Sequence, residues 1–258
     1  VLSLGSNKAL EYLNGGSIDF GSTAGASSVI GRANGIPIKA IYVYSKPEWT
    51  ALVTNKNSGI TSIKDLVGKR VAVTRGTDPH IFLLQALDKV GLTEKDIKPV
   101  LLQHPDGYRA LVSGQVDAWA GLDPHMAKGE LETQTPLFYR NADLNTYGIL
   151  NVREEFSTKY PLLVKKVLKI YEENRLYAIE NPNDLKKSLI KAVKLSDAVA
   201  KKQLNERTDI TNPNIGPKQI NTFLTAGNIL QKIGIIKSSV SIKNVVNELV
   251  DTSFLSKN

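Results

Sequence analysis

Apolar positions in this chain switch repeatedly between a spacing of two and a spacing of three to four, the signature of strands and helices in succession. VLSL at residues 1–4 reads as a short strand. Ala9, Leu10 and Leu13 then share one face of a helix that begins after Gly5-Ser6-Asn7 and stops at Asn14-Gly15-Gly16. SIDFG, at residues 17–21, is the next strand, so the chain opens strand, helix, strand, with the two strands expected to lie parallel. Ile41 to Thr54 alternates as one long strand or a strand pair would. A short helix is predicted at 61–66, closed by Gly68, then a strand at 69–73 and a helix at 81–91 with Leu83, Leu84 and Leu87 inward.

The phrase LNGGSIDFGS at residues 13–22 returns as LVSGQVDAWAG at 111–121. Its second occurrence is again flanked by a strand at 98–102, a helix opened by His104-Pro105-Asp106, and a strand at 115–119. The repetition predicts two α/β lobes with related local plans. One more strand spans 147–152. From Phe156 onward the pattern is helical, with helices expected at 161–179, 182–193, 196–205, 217–233 and 241–250, each opened by Ser, Asp or Pro. The fold class is therefore α/β with a helical C-terminal third.

Composition changes this picture little. At 258 residues the chain is long enough for two lobes, and 41% apolar with 22% charged residues is ordinary for a globular protein. No stretch approaches the roughly 20 apolar residues of a membrane span, and the N-terminus lacks the basic and apolar regions of a signal peptide. The absence of cysteine excludes disulfides, thiolate nucleophiles and Cys-ligated metals. The net charge of +8 is spread along helices without a basic stripe interleaved with aromatics, so no nucleic-acid partner is expected.

Candidate chemistry gathers where strands end and helices begin. Those points read Gly5-Ser6, Ser22-Thr23, Gly76-Thr77-Asp78, His104 to Asp106 and Asp123-Pro124. Hydroxyls and free amide N–H groups at helix starts suit an oxyanion. Nothing matches a catalytic set. There is no G-x-S-x-G elbow, His80, His104 and His125 lack metal-ligand spacing, and Gly31 to Gly35 reads as a helix end rather than a nucleotide loop. Asp19 and Asp117 read as strand-end residues that fix loops. Trp49 reads as core. Trp119, beside Gly121 and Asp123-Pro124, reads either as core or as an exposed ring that could cover the apolar body of a ligand.

Three segments carry a resemblance: SNKALEYLNGGSIDFGST, ITSIKDLVGKRVAVTRGTDPHIFLLQALDKVGLTEKDI and HPDGYRALVSGQVDAWAGLDPHMAKGE. Together, over residues 1–160, they resemble the extracytoplasmic solute-binding proteins of ABC importers, in the group that binds aliphatic sulfonates, taurine, nitrate and thiamine precursors. The resemblance implies a two-lobed, periplasmic-binding-protein-like type II fold, with residues 1–55 and 148–258 in lobe I and 56–147 in lobe II. It implies a ligand held by Gly5, Ser6, Ser22 and Thr23 from lobe I and by Gly76, Thr77, His80, Trp119 and Asp123 from lobe II. Ser6, Thr23 and Thr77 are expected to donate to an anionic head group, Trp119 to pack on its carbon skeleton, and His80 to touch the ligand or hold the 76–80 loop.

The expected function is a non-enzymatic, monomeric receptor for a small alkanesulfonate-like anion. It is expected to need no cofactor or metal and to deliver its solute to a membrane permease from the periplasm or the outer face of the cell membrane, a lipid anchor being left open. The alternative is a binder of a thiamine-precursor pyrimidine or another heterocycle on the same fold. An enzyme making that pyrimidine would call for a cysteine-bearing iron motif, and the effector half of a transcription regulator for a helix-turn-helix. The chain departs from the family in three ways. The family's first βα unit is missing before VLSL. The usual T-G-[DE] reads Thr23-Ala24-Gly25, which argues against zwitterions such as taurine. The frequent W-D-P reads Leu122-Asp123-Pro124.

Overall fold

The computed structural model describes residues 5–255, so the strand expected at 1–4 lies outside the described residues. The chain runs through α1 (Ser6–Asn14), β1 (Phe20–Ala24), α2 (Gly25–Ala33), β2 (Ile38–Pro47) and β3 (Leu52–Thr54). It continues through β4 (Arg70–Val73), α3 (Asp78–Asp88), β5 (Lys98–Leu101), α4 (His104–Val112), β6 (Ala118–Ala120), α5 (His125–Glu132) and β7 (Leu137–Tyr139). β8 (Gly148–Arg153) leads into α6 (Glu154–Lys159), α7 (Pro161–Glu180), α8 (Pro182–Val193) and α9 (Asp197–Arg207). The two-residue β9 (Thr208–Asp209), α10 (Pro217–Lys232) and α11 (Ile242–Leu249) complete it. The helical tail thus follows the predicted pattern, with β9 as the one strand it did not anticipate.

The elements form two compact units. The first takes the described residues up to Lys46, then Thr146–Pro182 and the chain from Asp209 on. The second takes Pro47–Asn145 and Asn183–Thr208. The helical tail is therefore shared: α9, with nearly all of α8, belongs to the second unit, whereas the resemblance implied that the whole tail lies in the first. The alternating stretch 41–54 is also divided. β2 ends at Pro47, whose ring cannot continue a ladder, and β3 joins the other sheet.

The first unit is built on a sheet of order β1-β8-β2-β9. β8 pairs antiparallel with both β1 and β2, with Ser22 opposite Leu150 and Lys39 opposite Val152. α2 packs against α1, α10 and α11. Around β2 and β8, Ile41, Tyr42, Leu150 and Val152 meet Val164 and Leu168 of α7. That helix buries only these two side chains and leaves Leu162, Ile170 and Tyr177 exposed.

The second unit has a mixed sheet of order β5-β4-β6-β3-β7. β4 runs parallel to both β5 and β6, while β3 runs antiparallel to β6 and β7. Period-two alternation sorts its side chains onto two faces. Val71, Val73, Ala118 and Ala120 pack with Phe82, Leu83 and Leu87 of α3. Ala72 and Trp119 pack with Ala110, Leu111 and Met126 of α4 and α5. The repeated phrase foretold β5 and β6 as strands of one parallel unit; β4 lies between them, and the trio brings three strand ends and three helix starts to one end of this sheet. Asp117 anchors the opposite end, accepting the Arg70 N–H at 2.8 Å and its guanidinium at 2.9 Å. Asp19 likewise holds Arg153 at 3.1 Å.

Candidate functional site

In the first unit, the chain between β1 and α2 is closed by its own surroundings. Gly25 N–H donates to Tyr147 O at 3.0 Å and Ala26 N–H to Thr146 Oγ1 at 2.9 Å, so two of the amides that a helix start leaves free are already satisfied. Only glycine fits at position 25, where a Cβ would sit 2.1 Å from Thr146 O. Thr23 is buried. Its hydroxyl lies 2.7 Å from Ser28 Oγ and accepts Asn151 Nδ2–H at 3.0 Å. Asn151 is wholly buried, and its Oδ1 has no hydrogen-bond partner among the described residues. Ser6 Oγ accepts the Ala24 N–H at 3.0 Å. Gly5 and Ser22 are exposed. Sequence reasoning missed Ser28, Thr146 and Asn151, although an asparagine inside the apolar run ILNV is itself a signal of an inward polar group.

An open groove of about 930 Å³ also lies in this unit, bordered by Lys165, Lys169, Leu176, Ile215 and Phe254. None of the nine candidate residues lines it.

In the second unit, the loop after β4 is pinned from within. Gly76 takes the left-handed conformation (φ 75°) that a glycine adopts without strain. Its N–H donates to His80 Nδ1 at 3.1 Å. His80 Nε2–H in turn faces Glu94 Oε1 at 3.0 Å, which fixes the tautomer. With 0% exposure, His80 holds the loop and meets no solvent, and burial pushes its pKa below the ordinary value against the pull of Glu94. Thr77 Oγ1 donates to Thr74 O at 2.6 Å, while its side chain remains half-buried at the start of α3. Arg75 is exposed beside it.

Two expected ligand residues lie in the interior instead. The Trp119 ring is 1% exposed, packed against Tyr108 at 6.0 Å and over Gly107, where a Cβ would come within 2.7 Å of Nε1. Period-two alternation aims it at α4 and α5, so it is a core ring rather than a wall for a carbon skeleton. Asp123 Oδ1 accepts Ala127 N–H at 3.0 Å and Arg207 Nη1–H at 2.8 Å. Burial pushes this carboxyl upward, and the Arg207 guanidinium works against that push. Arg207 also reaches Glu130. Trp49 is half-buried and donates Nε1–H to Asp78 Oδ2 at 3.0 Å.

Two histidines open the neighbouring helices. Thr74 Oγ1 donates to Leu102 O at 2.7 Å and lies 3.2 Å from His104 Nδ1. Burial, reinforced by the nearby His125, lowers the His104 pKa to about 4. Burial also lowers that of His125, with Lys128 and Arg109 adding to the effect.

The family described as NMT1/THI5 like matches residues 3–185. Over 166 residues the chain is 33% identical to a protein of Escherichia coli (strain K12) named for binding aliphatic sulfonates, covering 64% of this chain and 52% of that one, about half its length. A protein of the same name in Bacillus subtilis (strain 168) is 26% identical over 250 residues, covering 96% of this chain and 74% of its own. The crystal structure of the periplasmic aliphatic sulphonate binding protein SsuA from Escherichia coli superposes with a TM-score of 0.87 at 25% identity, covering 98% of this chain and 82% of that one.

Proposed function

From the premise that this chain belongs to the NMT1/THI5-like family, we propose that it is the solute receptor of an ABC importer, binding a small organic anion of the alkanesulfonate type without altering it. The observation that carries the reading is the match of almost the whole chain to a structure named as a periplasmic sulphonate binder. The fold gives it support. Each unit offers hydroxyl and glycine positions that are not buried next to its strand ends, Ser6 and Ser22 in the first and Gly76 and Thr77 in the second. Neutral hydroxyls of this kind, Thr77 once its proton turns from Thr74 O, suit a sulfonate, whose charge is spread over three oxygens and needs no single counter-ion.

Within the nine candidate residues we assign Gly5, Ser6, Ser22, Gly76 and Thr77 to direct contact. Thr23, His80, Trp119 and Asp123 act behind them as supports. The partners on this reading are the membrane subunits of the importer, and the place of action is outside the cytoplasmic membrane. The test is a calorimetric titration with 1-butanesulfonate, taurine and a thiamine-type pyrimidine. Saturable binding of the sulfonate, stronger than that of the other two, is expected. Binding of the pyrimidine alone overturns the assignment.

A further inference from the structure

β4 is parallel to both β5 and β6, and its register sets Val73 opposite Leu101 and Ala72 opposite Trp119. The carboxyl ends of the three strands therefore share one end of the second unit's sheet. His104 is the first residue of α4 and His125 the first of α5, so both imidazoles are delivered to that end. We propose that His104 and His125 are specificity-determining residues of the solute site, presenting their rings to the anionic head group and taking up a proton as it binds. This rests on the receptor reading above and names the groups that sense the charge of the solute.

The hydrogen bonds define what each ring offers. The Thr74 hydroxyl gives its only proton to Leu102 O, so toward His104 its oxygen is the acceptor. Neutral His104 therefore carries its proton on Nδ1, and no described residue engages the Nε2 lone pair. His125 stacks on Tyr108, with ring centroids 6.0 Å apart and planes at 21°, and neither of its ring nitrogens has a hydrogen bond among the described residues. Protonation would turn His104 Nε2 into a charged donor, the form that an oxyanion selects.

The charges around the pair show why that proton is absent without an anion. The fixed cations near His125 are Lys128 on α5 and Arg109 on α4. The carboxylates are already engaged. Asp106 holds Arg109 at 2.6 Å, Asp123 holds Arg207, Asp78 accepts from Trp49 and Glu94 faces His80. On α5, Glu130 is taken by Arg207 and Lys202 from α9, and Glu132 lies 3.8 Å from Lys128. Two half-buried imidazoles close enough to repel one another thus lack a free counter-charge. An anion arriving at this sheet end supplies it, and each raises the other's stability in the site.

A sulfonate stays ionised throughout the range in which histidine titrates, so any pH dependence of its binding comes from the protein. The experiment is calorimetric titration of 1-butanesulfonate at pH 7.5, 6.5, 5.5 and 5.0, in two buffers of different ionisation enthalpy that count protons taken up. Wild type, His104→Asn, His125→Gln and the control Lys166→Gln are compared, each shown to be folded by circular dichroism. An opposite charge within reach shifts a pKa by about 1–3 units, so affinity should tighten on the order of tenfold between pH 7.5 and 5.0, with net proton uptake. Lys166→Gln should keep that slope, and at least one histidine variant that folds should flatten it. A wild-type affinity independent of pH, or slopes unchanged in both histidine variants, overturns the inference and leaves the receptor reading standing. No binding of the sulfonate at any pH overturns both.

Discussion

Arg207 Nη1 lies 2.8 Å from Asp123 Oδ1, and both side chains are 1% exposed. The pair joins the chain just after β6 to the end of α9, 84 residues later. It explains why an aspartate at a strand end, where a ligand group was expected, does not face a ligand. A bare carboxylate there would repel an anion, and Arg207 neutralises it. The Arg207 carbonyl also accepts the Glu48 N–H at 2.6 Å, and the Glu48 carboxylate holds Arg140 at 2.9 and 2.7 Å. The residues with which the second unit's chain begins and ends are thereby fixed to its body.

Removing one partner of this pair leaves the other charge buried and alone, which costs about 3–5 kcal/mol. Arg207→Met should therefore lower the urea midpoint of unfolding markedly. Adding Asp123→Asn should recover part of the loss, because a neutral amide is easier to bury than an unpaired carboxylate. A double variant no more stable than Arg207→Met would show that the guanidinium acts mainly through Glu130 rather than through Asp123.

The two-lobe plan was legible because the repeated phrase marks a local device used twice. In each copy an aspartate just ahead of a strand ties down an arginine of another strand, Asp19 with Arg153 and Asp117 with Arg70. Helix starts were legible from Ser, Pro and Gly. The roles of Asp123 and Trp119 were not. Asp123 depends on Arg207, a contact that no local pattern contains, and Trp119 depends on which sheet face α4 and α5 cover. His80 was half legible: the sequence puts it ahead of a helix at 81–91 and expects it to touch the ligand or hold the 76–80 loop, but only Glu94, from a separate turn, fixes its proton.

Gly107 tests the buried position of Trp119. In Gly107→Ala the new methyl would lie 2.7 Å from Nε1 and 2.8 Å from Cδ1, so the ring or the helix must shift. Overpacking of this kind costs about 1–3 kcal/mol. The expected result is a lower melting temperature with an altered near-UV tryptophan signal. A variant as stable as wild type, with that signal unchanged, would place the ring elsewhere.

Thr77→Ala tests the donor loop. The substitution removes the hydroxyl that donates to Thr74 O at 2.6 Å at the start of α3 and that, on our assignment, turns from that carbonyl to donate to the solute. A hydrogen bond to a charged group contributes about 1.5–3 kcal/mol, so the dissociation constant for a sulfonate should rise by tenfold or more. The half-buried side chain makes a small change in stability the expected companion. Unchanged affinity in the folded variant would remove Thr77 from the site.

Acid should weaken the fold through the same histidines that we assign to the solute. His104 titrates near 6.5 when unfolded and at about 4 in the folded chain, because burial disfavours its cation. Below pH 6.5 the unfolded state therefore binds the proton that the folded state refuses. The contribution is complete above 6.5, falls by about 1.4 kcal/mol per unit as pH drops, and levels off below 4, for a total of about 3 kcal/mol. His80 and His125 are shifted in the same direction and steepen the fall. Urea midpoints at pH 7.5, 6.0 and 5.0 should decline in wild type and decline less in His104→Asn. Since an anion at this site favours the imidazolium form, 1-butanesulfonate should slow that decline, so ligand-free and ligand-bound stability curves should diverge as the solution is acidified. Parallel curves would separate the buried histidines from the solute and leave them a purely structural role.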